Sequence, residues 1–259
     1  DYPGAMREVV EKATGAPCLF LQGASGELGP REGFVGDSEV ADRNGRRLGY
    51  AALAALEGLP PALSRFEYAG AVESGAVLGP WRYAPVDAAR KDALGVWREV
   101  RWTVPLPYRD DLPTAEQTEA ERRRWAQEER EALDRGDAAR AADCRAFVER
   151  MDRQLVRIGA LPAGPTFPFE ARLWRLGDAA WLAVKGEHYQ HLQTELRRRL
   201  PGTPIVVMTL VNGWQPGYVP AASAYGLGIY QAEIAVVAAG SLEALTDAAA
   251  EKLAELFPA

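Results

Sequence analysis

FEARLWRLGDAAWLAVKGEHYQHLQTELRRRLPGTPIVVMTLV, residues 169–211, decides the fold. Phe169, Ala171, Leu173 and Leu176 mark a strand, Gly177-Asp178 a tight turn, and Ala180 to Val184 its hairpin partner. That second strand ends at Gly186-Glu187-His188. A helix is expected from about Tyr189 to Leu200, and the run Ile205 to Val211 is again strongly β-forming. Strand, strand, helix, strand predicts an α/β fold, a mixed sheet flanked by helices.

Upstream, Val100, Trp102, Val104 and Leu106 alternate with Glu99, Arg101 and Thr103, as a strand with one wet face requires. Pro105 and Pro107 place that strand at an edge or at its exit. Thr114 to Ile158 lacks proline and is densely charged, with Cys144, Phe147, Val148, Met151, Leu155 and Ile158 at helical spacing. It predicts a charged long helix, or a helical hairpin broken near Gly136, inserted into the domain. The acids and bases from Glu121 to Glu131 interleave as on a solvated helix face. Nearer the start, Met6, Val9, Val10 and Ala13 predict a helix that stops at Gly15. Pro17 to Gln22 reads as a short buried strand, followed by a loop holding Gly23, Gly26, Gly29, Pro30, Gly33 and Gly36. A helix from about Ser38 to Leu56 follows, with Leu48, Ala52 and Leu56 on one face and Gly58 at its end. Phe66 to Tyr83 has a mixed β pattern. Ile234 to Val237 predicts a last strand, and Ser241 the N-cap of the final helix.

The 259 residues are 47% apolar, enough for a sizeable core. The 30 Lys and Arg against 36 Asp and Glu leave a net charge of -6, which disfavours nucleic acid and anionic membrane surfaces as partners. No apolar run is long enough to span a bilayer. Cys18 and Cys144 offer no disulfide framework and read as small buried residues. His188 and His191 are the only histidines, so a three-histidine zinc site or a HExxH helix cannot be built from this chain alone. The two read as partly exposed polar residues. A first residue that is not Met, and Pro3-Gly4 running straight into a helical pattern, predict a chain that begins within something larger. Cellular location is left open.

Two places could carry chemistry. Glu187 follows a glycine where strand gives way to helix. The stretch Asn212 to Tyr230 holds Gly213, Gly217, Gly226 and Gly228, the aromatics Trp214, Tyr218, Tyr225 and Tyr230, and almost no charge. Such a loop is structured rather than solvated. It is either aromatic packing over the sheet edge or a pocket wall in which Trp214 and Tyr225 meet substrate.

Over nearly its whole length the chain resembles the later part of the catalytic domain of neutral/alkaline, non-lysosomal ceramidases. Asp1 to Gly4 resembles the segment after a histidine zinc ligand in that family, and CLFLQGASGELGPRE, from Cys18, resembles its nucleophile loop. Glu187 in Lys185-Gly186-Glu187 falls on the family's glutamate ligand. Asn212-Gly213 with Gly217-Tyr218-Val219 falls on its Asn-Gly and Gly-Tyr-Val block, whose tyrosine also binds zinc. Tyr230 matches a tyrosine that assists catalysis, and the helix from Ser241 to Phe257 fits the domain's end. The resemblance implies a single, N-terminally incomplete domain over 1–259, with the helical insertion at 114–158. It implies a zinc-dependent hydrolase of an amide or N-acyl bond, acting on a small or lipid-like substrate. Glu187 and Tyr218 would be metal ligands and Tyr230 an oxyanion donor.

Two departures accompany the match. The family's histidine ligands lie upstream of Asp1, so the missing N-terminal part of the domain would be a partner of this chain. Gly29 stands at the serine nucleophile position, where it would line the substrate site, and Ser25 lies four residues earlier. Direct attack by water, or a role for Ser25, replaces an acyl-enzyme on Gly29. Two alternatives follow: a catalytically inactive binding or scaffold module, and a metal-independent hydrolase pairing Ser25 with His188.

Overall fold

Helices and a mixed sheet make up the computed structural model, an α/β fold with no closed barrel, which describes residues 1–258. The chain divides into two compact units. One holds Asp1–Leu21, Gly29–Arg98 and Arg175–Asp178; the other holds Gln22–Leu28, Glu99–Trp174 and Ala179–Ala259.

In the first unit, helix α1 (Tyr2–Thr14) starts where the Asp1 carboxylate accepts from the Gly4 N–H at 2.7 Å. It stops at Gly15, whose φ of 68° only glycine adopts readily. Helix α2 (Ser38–Glu57) is capped by Asp37 and packs along α1. The packed face differs from the expected one. Leu48, Ala52 and Leu56 are exposed, and the buried positions are Val40, Gly45 and Gly49. A Cβ at Gly45 would stand 2.2 Å from the Tyr2 carbonyl oxygen, and one at Gly49 would stand 2.8 Å from Val9 Cβ. Backbone contact through glycine therefore selects the interface, over a stripe of larger apolar residues.

The expected strand from Pro17 to Gln22 is absent: the segment joins no ladder, and Leu19 is 85% exposed. An unbroken apolar run becomes a buried strand only where a sheet edge receives it. Here the Cys18 N–H donates to the Glu11 carboxylate (2.9 Å), and Cys18 is half-buried rather than buried. Strands β1 (Ser64–Tyr68), β2 (Val72–Glu73), β3 (Val77–Leu78) and β4 (Trp81–Pro85) form two nested antiparallel pairs, β1 with β4 and β2 with β3. Helix α3 (Ala88–Leu94) closes this unit.

The second unit is built on a four-stranded sheet ordered β5 (Trp97–Pro107), β6 (Thr166–Leu176), β7 (Ala179–Val184), β9 (Ile205–Met208). Proline at 105 and 107 is tolerated because β5 is the edge strand. The two-residue link Gly177-Asp178 makes β6 and β7 antiparallel, whereas β7 and β9 pair in parallel, as a crossover through a helix requires. Between β5 and β6 lies the helical hairpin, α4 (Ala115–Asp134) and α5 (Ala138–Gly159), turning at Gly136 with φ 73°. Thr114 and Gln117 form a reciprocal capping box at its start.

One face of the sheet carries the core. Leu106, Phe169, Leu173, Leu182 and Val207 pack with Leu192 and Leu196 of α6 (His191–Arg199) and with Leu242, Leu245 and Leu253 of α8 (Ser241–Leu256). Each such side chain, fully buried, contributes about 1.5–3 kcal/mol of transfer free energy. The other face is wet, with Lys185 and Glu170 paired at 3.6 Å.

The end of the chain departs twice from expectation. Instead of a strand over Ile234 to Val237, helix α7 (Tyr230–Ile234) is followed by one antiparallel bridge from Val237 to Tyr108. Ser241 is already helical, so it does not cap. Gly240 takes the cap position with φ 90°, and the buried Ser241 hydroxyl has no partner among the described residues.

Candidate functional site

Two short strands of the second unit, β8 (Glu187–His188) and β10 (Tyr218–Val219), pair in parallel with Tyr218 opposite Glu187 and Val219 opposite His188. The Glu187 N–H donates to the Gly217 carbonyl at 2.8 Å. Gly186 permits this approach: its φ is 74°, and a Cβ there would stand 2.8 Å from the Gly217 oxygen. The two glycines thus have local physical reasons: Gly186 lets β8 lie against β10, and Gly217 takes a φ of 92° that favours glycine.

The pairing puts the Tyr218 phenol close to the Glu187 carboxylate. Burial, together with that negative charge, pushes the phenol up to about 12. Tyr230, at the start of α7, lies edge-on to Tyr218 with ring centroids 6.3 Å apart. From α5, the Arg150 guanidinium lies over the Tyr230 ring at 5.7 Å and pairs with Glu233 at 2.8 Å. Arg157, one of the most buried charged residues at 9% exposure, also faces the two tyrosines. Sequence reading missed these arginines because they sit in a strongly charged helical segment, and Glu233 because its stretch read as a loop leading into an apolar strand. The available signal was the Gln154 and Arg157 pair, three residues apart beside the apolar stripe of α5.

Trp214 lines a groove of about 370 Å³ with Asp152, Arg153 and Val156. Tyr225 donates its hydroxyl to the Val237 carbonyl at 2.8 Å, with Arg109 over its ring, and burial pushes the phenol up to about 12. Its hydroxyl is therefore engaged within the fold. Gly29 lies in the first unit, where a Cβ would meet only the Phe34 ring, at 3.4 Å.

Ser25 lies in the turn that docks on β8. The Gly26 N–H donates to the His188 carbonyl at 2.8 Å, and Gln22 Nε2 donates to Ser25 Oγ. This turn does not pair Ser25 with the imidazole. His188 is fully buried edge-on to Phe169, with ring centroids 5.4 Å apart, and neither ring nitrogen has a hydrogen-bond partner among the described residues. The Gly186 carbonyl is nearby, outside hydrogen-bond geometry, and burial drops the imidazole to about 3. The nucleophile–base reading is thereby corrected, and His188 is a core residue rather than a partly exposed one.

Zinc favours four ligands. Glu187 and Tyr218 offer two adjoining oxygen donors, and among the described residues no group of three His, Cys, Asp or Glu could hold a metal ion. These residues by themselves do not make a zinc site. No described helix is long and apolar enough to cross a membrane.

No protein-family model matches the chain, and no curated protein matches its sequence. Among solved structures it is similar to the neutral ceramidase from Pseudomonas aeruginosa, with a TM-score of 0.52 and 14% identity. The match covers 100% of this chain and 41% of that one, so the chain spans less than half the length of its structural neighbour. At this identity the likeness is one of fold, and it shows that the chain adopts a ceramidase-like fold.

Proposed function

We propose that the chain is part of a ceramidase-like hydrolase of an amide or N-acyl bond, with its site at the β8–β10 pair. The observation that carries this reading is the placement of Glu187 beside Tyr218, with Tyr230 edge-on, in a fold similar to a neutral ceramidase. Glu187 and Tyr218 are proposed as two ligands of a zinc site whose other donors lie outside these 259 residues. When bound there, zinc would supply Lewis acidity toward the scissile carbonyl. The chain's own residues have separate tasks. The backbone pairing of β8 with β10 holds Tyr218 in register beside Glu187, and Tyr230 donates a hydrogen bond to the developing oxyanion. Arg150 fixes the Tyr230 ring from one face.

Elemental analysis tests the reading. The expected result is stoichiometric zinc in a longer protein that includes this chain, reduced at least tenfold in Glu187→Ala, together with release of fatty acid from N-acyl substrates. Zinc content unaffected by Glu187→Ala would remove that residue from the site. A binding or scaffold module is the second reading, favoured by the two-donor site and by Gly29, which has no hydroxyl. It predicts ligand binding with no turnover.

A further inference from the structure

Among the charged groups of the second unit, Arg157 is set apart by being buried without a carboxylate partner. It is 9% exposed, forms no salt bridge among the described residues, and donates one hydrogen bond, from Nη1 to the Oε1 of buried Gln154. The other arginines around it are engaged: Arg150 with Glu233 at 2.8 Å, and Arg153 with Glu149 at 3.9 Å. A buried guanidinium stays charged and presents five donors in a rigid fork. With Nη1 held by Gln154, the remaining N–H groups of the fork are available to an anion. The groups whose charge acts on it are Tyr230 and Tyr218, the two phenols of the candidate site, and the cationic Arg153 and Arg150. A Cβ at Gly217, the residue before Tyr218, would stand 3.8 Å from Arg157 Nε, so the guanidinium lies against the strand that carries the site tyrosine.

We infer that Arg157 is the anion anchor of this site, taking an oxyanion, carboxylate or phosphate, that lies next to the N-acyl amide of the substrate. The inference rests on the reading that the β8–β10 pair is the substrate site, and it deepens that reading from "an amide" to an acidic amide. Arg157 selects substrate by charge and orients the acyl amide toward Tyr230. It binds through paired N–H donors, so lysine replaces it poorly.

Calorimetric titration of the full chain with three soluble probes tests this: N-octanoylglycine, its uncharged amide N-octanoylglycinamide, and N-octanoylphosphoethanolamine. The expected result is binding of at least one acidic probe about tenfold or more tighter than the neutral one. The better of the two acidic probes identifies the anion as carboxylate or phosphate. Arg157→Lys is expected to retain part of the preference, and Arg157→Gln to lose it. Equal affinity for acidic and neutral probes in the unaltered chain, or binding of none of them, overturns the inference whether or not Arg157→Gln folds. So does an acid preference that survives in Arg157→Gln. The two readings fail separately. Turnover of neutral and acidic N-acyl substrates at equal kcat/KM would keep the hydrolase and discard the anchor. Acid-selective binding without turnover in the longer protein would do the reverse.

Discussion

Tyr218 shows at the scale of one residue how a phenol is held protonated. Burial and the adjoining Glu187 carboxylate both oppose its ionisation, and Tyr225 is held up near the same value mainly by burial. The chain has nine tyrosines. Spectrophotometric titration is expected to show two of them ionising near pH 12, later than the ordinary range near 10. Glu187→Gln removes the negative charge and should bring Tyr218 down while leaving Tyr225 in place; an unchanged titration would show that the carboxylate does not act on it. Glu187, Tyr218 and Tyr230 stood out in the sequence because glycines and low charge surrounded them. Arg157 did not, because a lone arginine in a charged helix is indistinguishable by type from its solvated neighbours until its burial is known.

Elements were legible where a period repeated. The alternation through Leu106 placed β5, and its prolines placed it at the sheet edge. The proline-free charged run from Thr114 to Ile158 marked a long helix or a hairpin broken near Gly136, and the structure has the hairpin of α4 and α5. Two of the misreadings share one cause, which is that each depended on a partner outside the segment itself. Pro17 to Gln22 is apolar enough for a strand but receives no ladder, and α2 buries glycines instead of leucines because α1 approaches so closely. This interface yields a test in which local and tertiary terms have opposite signs. Gly45→Ala gains about 1 kcal/mol of helix propensity. It also places a Cβ 2.2 Å from the Tyr2 carbonyl, and overpacking of this kind costs about 1–3 kcal/mol. Urea unfolding should find the variant destabilised by up to about 2 kcal/mol; a more stable variant would show that α1 and α2 do not touch at Gly45.

At the scale of the whole molecule, stability should depend on acid through a single core group. His188 ionises near pH 6.5 when unfolded but only near 3 when buried against Phe169. Between those values the unfolded state binds the extra proton, so stability is full above about pH 6.5 and falls as pH drops toward 3. From pH 6.5 to 4.5 the loss from this residue is about 2–3 kcal/mol. His188→Leu keeps the packing and removes the proton site. Its urea midpoint should therefore fall less than that of the unaltered protein over this interval, and parallel pH curves would show that His188 is not buried when neutral.

The hairpin of α4 and α5 leaves the sheet after β5 and returns to it at β6, and its two helices pack chiefly on each other. It nevertheless delivers Arg150 and Arg157 to the tyrosines. On the proposed assignment of Arg157, selectivity and scaffold would reside on separable pieces of chain. Exchanging the hairpin would then alter which ligands are admitted while the strands that hold Glu187 and Tyr218 keep their register.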